Sequence, residues 1–207
     1  ENVVGLLSAD GGCAMPNIVR TLASIGHHDL SWNVINARRF GLAQGRRRVF
    51  IVSTATAAHG DIAGRSSHRI LHQSGLTTPA ASPPPPQRNP KLADADAIER
   101  ADLVVVSHAK PGLTAYLPEN FPTLVCHGQY VFLADRKNQT CRYLTPLEYE
   151  RLQNFPDNWT AGFPKTVRYK MVGNSVVPDV AEYVARGCKT VLAGADMVKS
   201  VVVSLTE

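Results

Sequence analysis

The chain has 207 residues, which suits one domain of ordinary size or two small ones, and 44 % of them are hydrophobic, enough for a packed core. The longest apolar runs, Leu103–Val106 and Val201–Val203, are too short to cross a bilayer, and no signal segment opens the sequence at Glu1, so we expect a cytoplasmic protein (nucleoid-associated in a prokaryote) with no membrane contact. The net charge of +5 suits a polyanionic partner without requiring one.

The cysteine pattern argues against a metal site. The four cysteines form no CxxC pair, and their spacing matches no zinc motif: Cys13, Cys126, Cys141 and Cys188. We therefore predict free thiols in a reducing compartment and no metal.

The first 54 residues alternate between strand and helix patterns. Val3–Leu7 is a short apolar run, and Trp32–Ile35 is a strand candidate. Val49–Val52 is apolar at every position, which predicts a strand buried on both faces. Pro16 opens a helical pattern with one apolar face, made of Ile18, Val19, Leu22 and Ile25. This order predicts part of an α/β sheet.

The composition changes after Thr54. Residues 55–90 are rich in Ala, Ser, Gly, His and Pro, and the run Pro83–Pro86 predicts an extended linker or surface loop. Short β-like pieces then recur at Leu103–Val106, Thr123–Cys126 and Tyr130–Leu133. We predict a partial α/β domain over 1–55, a small β-rich domain with a proline-rich insert over 56–165, and a C-terminal helix in 166–207 that returns to the first domain.

Two helix starts can be located in the C-terminal third. Thr145, Pro146 and Glu148 have the pattern of a capping box, so a helix should run from Pro146 to about Asn154, with Leu144 packed against Tyr149. A last helix should begin after Gly173-Asn174-Ser175. Its apolar face is formed by Val177, Val180, Ala181, Val184, Cys188, Val191 and Leu192, and Gly194 is its predicted stop.

Four segments carry motifs in order. They are Glu1-Asn2-Val3, Gly41–Phe50 with Gln44, Arg46 and Arg48, Arg142–Asp157, and Gly173–Pro178. Together they resemble the ENV, QxRxR and last two conserved blocks of the DNA (cytosine-5) methyltransferases, in the family's order and at roughly its spacing. The chain is therefore identified with the C-terminal portion of such an enzyme. The resemblance implies an α/β fold: the second half of a Rossmann-like methyltransferase domain plus a small, irregular, β-rich target-recognition domain.

The family's reaction needs a carboxyl group. A thiolate adds to C6 of cytosine, and the resulting enamine takes the methyl group of S-adenosyl-L-methionine. Addition is easier when N3 is protonated or hydrogen-bonded. The resemblance implies that Glu1 has this role and that S-adenosyl-L-methionine is the cofactor. Without its neighbours, Glu1 would be interpreted as a solvated terminal residue.

An arginine pair follows in the second motif. Arg46 and Arg48 are two residues apart where a strand should begin, so we expect them on one side and Arg47 on the other. The resemblance implies that Arg46 and Arg48 are catalytic and hold the base carbonyl oxygen and a phosphate, with Gln44 nearby. The alternative is a solvated basic turn that also includes Arg38 and Arg39.

The remaining implied sites concern the cofactor and the DNA. The resemblance implies that Asn174, Ser175 and Val176 contact S-adenosyl-L-methionine at a helix start, where a plain capping role is the alternative. It also implies that Gln44, Thr123 and Leu124 support recognition of double-stranded DNA, whose target base must leave the stack. Some members of a polar set are further candidates for DNA contact, with an ordinary polar surface as the alternative: Lys110, Asn120, His127, Gln129, Tyr130, Arg136, Lys137 and Asn138.

Two family features are not found in the sequence. No cysteine follows a proline, and no early Gly-rich cofactor loop is present. We therefore expect a complementary N-terminal methyltransferase half or subunit to supply them, and we expect this chain to be inactive alone. A non-catalytic DNA-binding or regulatory module is the competing hypothesis, and methylation of transfer RNA is a third.

Overall fold

The structure is a computed structural model that describes residues 1–55, 71, 101–107, 113–128, 131–193 and 199–202. The predicted proline-rich segment and the DNA-contact candidates Lys110, Gln129 and Tyr130 lie outside these residues. The chain divides into two compact units. The first contains Glu1–Asn36, Arg47–Pro79 and Val180–Glu207, and the second contains Ala37–Arg46 and Ala80–Asp179. This division does not coincide with the domain boundaries predicted at residues 55 and 165, which stay a prediction.

The first unit is built on a sheet that has four strands among the described residues. The strands are β1 (Asn2–Val3), β2 (Asp29–Asn36), β3 (Arg47–Ala55) and a strand near the C-terminus (Lys199–Val202, named β8). β3 lies between β1 and β2 and pairs antiparallel with each, so β1 and β2 run in the same direction. β8 pairs antiparallel with the far end of β3. A mixed α/β arrangement results, as the strand and helix order predicts.

The core of the first unit lies where β3 meets helix α1 (Ala14–Ser24). Val49–Val52 is at most 5 % exposed, which confirms the strand buried on both faces. Met15 and Leu22 of α1 pack against β3, whereas Ile25 is 65 % exposed because the helix ends at Ser24. Of the first apolar run only Val3 is extended, together with the preceding Asn2, and Val4–Leu7 forms a 3₁₀ turn.

The second unit contains an antiparallel sheet in the order β5-β4-β6-β7 among its described residues. These strands are β4 (Leu103–Ser107), β5 (Thr114–Tyr116), β6 (Val131–Asp135) and β7 (Thr140–Tyr143). The predicted strand at Thr123–Cys126 is wrong. That segment is irregular because its polar contacts go to residues 44–46 instead of to a neighbouring strand.

Helix α2 (Pro146–Leu152) begins as predicted. Thr145 Oγ1 accepts from the Glu148 backbone N–H at 3.2 Å, and the Glu148 carboxylate accepts from the Thr145 N–H at 2.7 Å, so the capping box is confirmed. Leu144 and Tyr149 are buried in one apolar cluster. The helix ends at Leu152, two residues before the predicted end, and Asn154 has a φ of 60°.

Two helices follow where one was predicted. Helix α3 (Lys165–Asn174) was missed because Val167 and Met171 are exposed apolar residues that obscure its periodicity. Helix α4 is Pro178–Ala193. The last helix begins after Gly173-Asn174-Ser175, as predicted, but Asn174 also ends α3 and Ser175 is its C-cap. Four residues of the predicted apolar face, Val177, Val180, Val184 and Cys188, are buried, but Ala181 is exposed.

Candidate functional site

An ion pair joins two predicted catalytic residues in the first unit. The register of β1 on β3, with Val3 opposite Arg48, places Glu1 beside the start of β3. The Arg48 Nε atom lies 3.0 Å from Glu1 Oε1, and the two side chains are only 18 % and 16 % exposed. Burial lowers the pKa of Arg48, and the nearby Glu1 carboxylate opposes that shift. A carboxyl group and a guanidinium are thus held side by side with little freedom to move.

Neighbouring arginine side chains alternate in exposure within β3. Arg47 is exposed, whereas the Arg48 side chain is largely buried and donates from Nη1 to the Arg47 carbonyl at 2.9 Å. The alternation does not include Arg46, because β3 begins at Arg47. The two side chains of the strand therefore have the different environments that the sequence predicts.

Arg46 has its contacts in the second unit and is 3 % exposed. Its Nη1 donates to the Leu124 carbonyl at 3.2 Å, and its Nη2 donates to the Ser175 carbonyl at 2.8 Å. Both acceptors belong to the protein backbone, so these contacts give Arg46 a positioning role. Its expected contact with the base or a phosphate stays a prediction.

Gln44 is fully buried in the second unit. Its Nε2 donates to the Leu152 carbonyl at 3.0 Å and to Gln153 Oε1 at 2.7 Å. Its Oε1 accepts from the Leu124 backbone N–H at 3.2 Å. Because all of these partners are protein groups, the structure supports a positioning role, and DNA contact by Gln44 stays a prediction.

The Thr123-Leu124 segment runs along residues 44–46. Thr123 Oγ1 donates to the Gly45 carbonyl at 2.6 Å, and the Gly45 N–H donates to the Phe121 carbonyl at 2.9 Å. The Leu124 side chain is 1 % exposed and belongs to the apolar core. Leu124 therefore supports the segment from inside, while the half-buried Thr123 retains access to solvent.

Gln153 is a polar residue that the sequence analysis assigned no role. It is fully buried, accepts from Gln44, and donates from Nε2 to the Val172 carbonyl at 2.6 Å and to Ser175 Oγ at 3.1 Å. A glutamine between Leu152 and the apolar Phe155 at the end of an amphipathic helix was the available signal. Buried amides need partners, and such a position predicts a network.

The predicted cofactor residues lie at the end of α3. Asn174 is exposed, whereas Ser175 and Val176 are half-buried and the Ser175 backbone is extended. Ser175 Oγ donates to the Val172 carbonyl at 2.7 Å. Gly173 allows close packing here, because a Cβ atom at this position would lie 2.5 Å from the Val125 carbonyl oxygen.

Comparison with known proteins places the chain in a family. Residues 1–95 and 122–190, well over half of the chain, match the sequence model described as C-5 cytosine-specific DNA methylase. The chain belongs to this family. The resemblance drawn from the four motifs is confirmed.

Relatives of this chain include named bacterial enzymes. "Type II methyltransferase M.Bpa9945I" of Bacillus paralicheniformis is 25 % identical over 94 % of this chain and 60 % of its own length. "Type II methyltransferase M.SsoII" of Shigella sonnei is 27 % identical over 89 % of this chain and 50 % of its own length. The chain therefore spans about half the length of the curated relatives it matches.

Among solved structures, the Dnmt2 methyltransferase of S. pombe is similar to this chain with a TM-score of 0.54. The match covers 95 % of this chain and 64 % of that structure at 13 % sequence identity. At this identity the likeness shows the fold alone, which is that of a methyltransferase. In the described part of the chain, no helix is long and apolar enough to span a membrane, and no group of three or more His, Cys, Asp or Glu is placed to hold a metal.

An exposed basic turn lies between β6 and β7 and includes Arg136 and Lys137. Asp135 accepts from the Asn138 N–H at 3.0 Å and from Asn138 Nδ2 at 2.8 Å. These hydrogen bonds from Asn138, the backbone one first, lower the pKa of Asp135 and fix the turn. Arg136, Lys137 and Asn138 are thus displayed at the surface, where they remain candidates for contact with phosphates.

Proposed function

We propose that the chain is part of a DNA (cytosine-5) methyltransferase, which transfers a methyl group from S-adenosyl-L-methionine to C5 of cytosine in double-stranded DNA. The observation that carries this proposal is the ion pair of Glu1 and Arg48 at 3.0 Å. A carboxyl group beside a guanidinium matches the N3 and carbonyl oxygen of cytosine, one donating a proton and the other donating charge-assisted hydrogen bonds.

In this proposal each residue has a defined role. Glu1, when protonated, donates to N3 of the base and so lowers the barrier to addition at C6. Arg48 donates to the carbonyl oxygen at C2, where negative charge would otherwise build up. The shared burial of the two side chains reduces the reorganisation needed when the base arrives. Arg46, Gln44, Thr123 and Leu124 hold the backbone from which recognition contacts to the DNA extend.

Asn174, Ser175 and Val176 would hold the cofactor, and the chemistry of these groups fits. The exposed Asn174 amide offers donors and an acceptor for polar ligand groups, and the half-buried Val176 offers apolar surface. The Ser175 hydroxyl donates internally and fixes the segment. When bound, S-adenosyl-L-methionine supplies the electrophilic methyl group. The first unit would then be the second half of a Rossmann-like domain, and the second unit would contain the target-recognition domain.

The nucleophile completes the proposal. None of the four cysteines in the sequence follows a proline. We therefore assign the attacking thiolate to a complementary methyltransferase segment or subunit. This thiolate adds to C6 of cytosine while protonated Glu1 donates to N3. The relatives are named as Type II methyltransferases, and we propose a corresponding cytoplasmic role in restriction and modification for the complete enzyme.

The test uses the complete enzyme, meaning these 207 residues together with the segment that carries the nucleophile. Tritiated methyl incorporation into duplex DNA should fall by about 10²–10⁴ in Glu1→Gln, because glutamine cannot transfer a proton to N3. Bisulfite sequencing should locate the product at C5 of cytosine. A chain that binds duplex DNA but supports no methylation in the complete assembly would favour the non-catalytic module. Methylation restricted to transfer RNA would change the substrate.

A further inference from the structure

We infer that Gln153 is a positioning residue that couples the Thr123-Leu124 segment to the Val172–Ser175 segment through Gln44. The assignment of these two segments to DNA and to the cofactor rests on the proposed function. The coupling itself rests on hydrogen bonds within the second unit. No motif of the sequence analysis gives Gln153 a role of its own.

The geometry around Gln153 uses both ends of its amide. Its Oε1 accepts from Gln44 Nε2 at 2.7 Å, and its Nε2 donates to the Val172 carbonyl at 2.6 Å and to Ser175 Oγ at 3.1 Å. The side chain has no exposed surface. If the amide oxygen and nitrogen of Gln153 were exchanged, its nitrogen would face the donor Gln44 Nε2 and its oxygen would face the acceptor carbonyl of Val172. Only one amide orientation is therefore compatible with these partners.

That orientation determines the orientation of Gln44. Because Gln153 presents an oxygen, Gln44 must present Nε2, and its Oε1 is then directed to the Leu124 N–H at 3.2 Å. The two amides therefore form one chain of hydrogen bonds from Leu124 to Ser175. In a buried chain of this kind each bond polarises the next, so loss of one member weakens contacts beyond its own neighbours.

Arg46 connects the same two segments by a second route. It donates to the Leu124 carbonyl and to the Ser175 carbonyl. Leu124 thus has its N–H bound by Gln44 and its carbonyl bound by Arg46, while Ser175 has its hydroxyl bound by Gln153 and its carbonyl bound by Arg46. Because of this double linkage, a displacement of the Thr123-Leu124 segment should also displace the Val172–Ser175 segment, and the reverse.

The first experiment measures amide hydrogen exchange by NMR on the 207-residue chain. Gln153→Met keeps the approximate side-chain volume but removes both the amide oxygen and the amide nitrogen. Exchange of the Leu124 amide should therefore rise about tenfold, although the hydrogen bonds of Gln153 go to Gln44, Val172 and Ser175 and not to Leu124. The Ser175 amide should also exchange faster, whereas the Val105 amide in β4 should not change. Gln44→Met should accelerate exchange of the Leu124 amide and, because the hydrogen-bond chain couples the two segments, that of the Ser175 amide to a smaller extent. Gln139→Met, on an exposed turn, is the matched control and should change neither.

A purely local role predicts a different result: Gln153→Met would then accelerate Ser175 and leave Leu124 protected, and that outcome would overturn the coupling. If Gln153→Met does not fold, Gln153→Asn, which keeps the amide but is one methylene shorter, decides the same question with the same two outcomes.

The second experiment measures KM values in the complete enzyme. Gln153→Met should raise KM for both S-adenosyl-L-methionine and duplex DNA, and Gln44→Met should raise mainly the KM for DNA. Unchanged KM values beside the expected exchange pattern would overturn the functional part of the inference. Absence of methyl transfer from the unsubstituted complete enzyme would instead refute the proposed function, and the exchange result would still decide the coupling.

Discussion

The carboxylate of Glu1 and the guanidinium of Arg48 form an ion pair at 3.0 Å between side chains that are both more than four-fifths buried. The pair depends on strand register, because β1 places Val3 opposite Arg48. A slip of one residue would turn the side chains of β1 to the other face. The ENV and QxRxR motifs thus meet through backbone pairing in the first unit.

The arginines of β3 provide the first prediction. In the complete enzyme, Arg48→Ala should cost roughly 2–4 kcal/mol of transition-state stabilisation, because a buried charge-assisted contact to the base is lost. Arg47→Ala should cost on the order of 1 kcal/mol or less, since an exposed arginine adds only to the general field and is screened by salt. The measurement is kcat/KM for methyl transfer at two salt concentrations. Equal losses that both shrink at high salt would mean a generic phosphate-binding patch.

The capping box gives a dependence on pH. The hydrogen bond from Arg142, with those from Thr145, lowers the pKa of Glu148 from its ordinary value of 4.5 to about 2. A lowered carboxyl pKa stabilises the fold fully above the unfolded value and loses that contribution as pH falls toward the folded value. Urea unfolding of the chain should therefore show a loss of stability between pH 4.5 and 2 that Glu148→Gln removes.

The matched control for this window is Asp157→Asn. Asp157 pairs with Arg151 but is 52 % exposed, so solvent screens the pair. Asp157→Asn should change the loss of stability at acid pH less than Glu148→Gln does. If Glu148→Gln left the loss of stability at acid pH unchanged, the capping box would contribute no pH-dependent stability.

A buried and an exposed ion pair allow a direct comparison. Glu150 is fully buried and accepts from Arg168 at 2.9 Å and from Thr160, whereas Glu182 is 60 % exposed and pairs with Arg186 on the surface of α4. Glu150→Gln should destabilise the chain by about 3 kcal/mol, since it leaves the Arg168 charge uncompensated. Glu182→Gln should cost about 0.5 kcal/mol or less. Similar unfolding free energies for the two variants would contradict the difference in burial.

Gly173 tests close packing at the end of α3. Gly173→Ala should destabilise the chain by about 1–3 kcal/mol, because its Cβ would lie 2.5 Å from the Val125 carbonyl oxygen and the backbone would have to move. Gly5→Ala is the control, since its nearest contact would be an ordinary 3.9 Å. Thermal unfolding measures both. A melting temperature of Gly173→Ala equal to that of Gly5→Ala would show that the segments separate without cost.

Local patterns in the sequence predicted those features whose causes are local. The capping box at Thr145 depends on residues within three positions of each other, and the all-apolar run Val49–Val52 has no polar side chain to expose. The four motifs identified the family because the order of motifs along the chain is a property of the sequence and does not depend on how the chain folds. The local pattern did not predict α3, because Val167 and Met171 are apolar but exposed and therefore obscure the buried face of the helix.

Tertiary structure alone decided which polar residues turn inward. Gln44 and Gln153 are 109 positions apart, and Arg46 reaches a carbonyl 129 positions away. Hydrophobic periodicity cannot predict such a pairing. It indicates the helix or strand to which a residue belongs, but not which distant segment packs against that helix or strand. The sequence by itself determined the family, the residue types of the site and the capped helix. Folding decided that Glu1 pairs with Arg48, while Gln44 and Arg46 bind backbone groups, because only long-range packing removes water from those atoms and leaves protein groups as their partners.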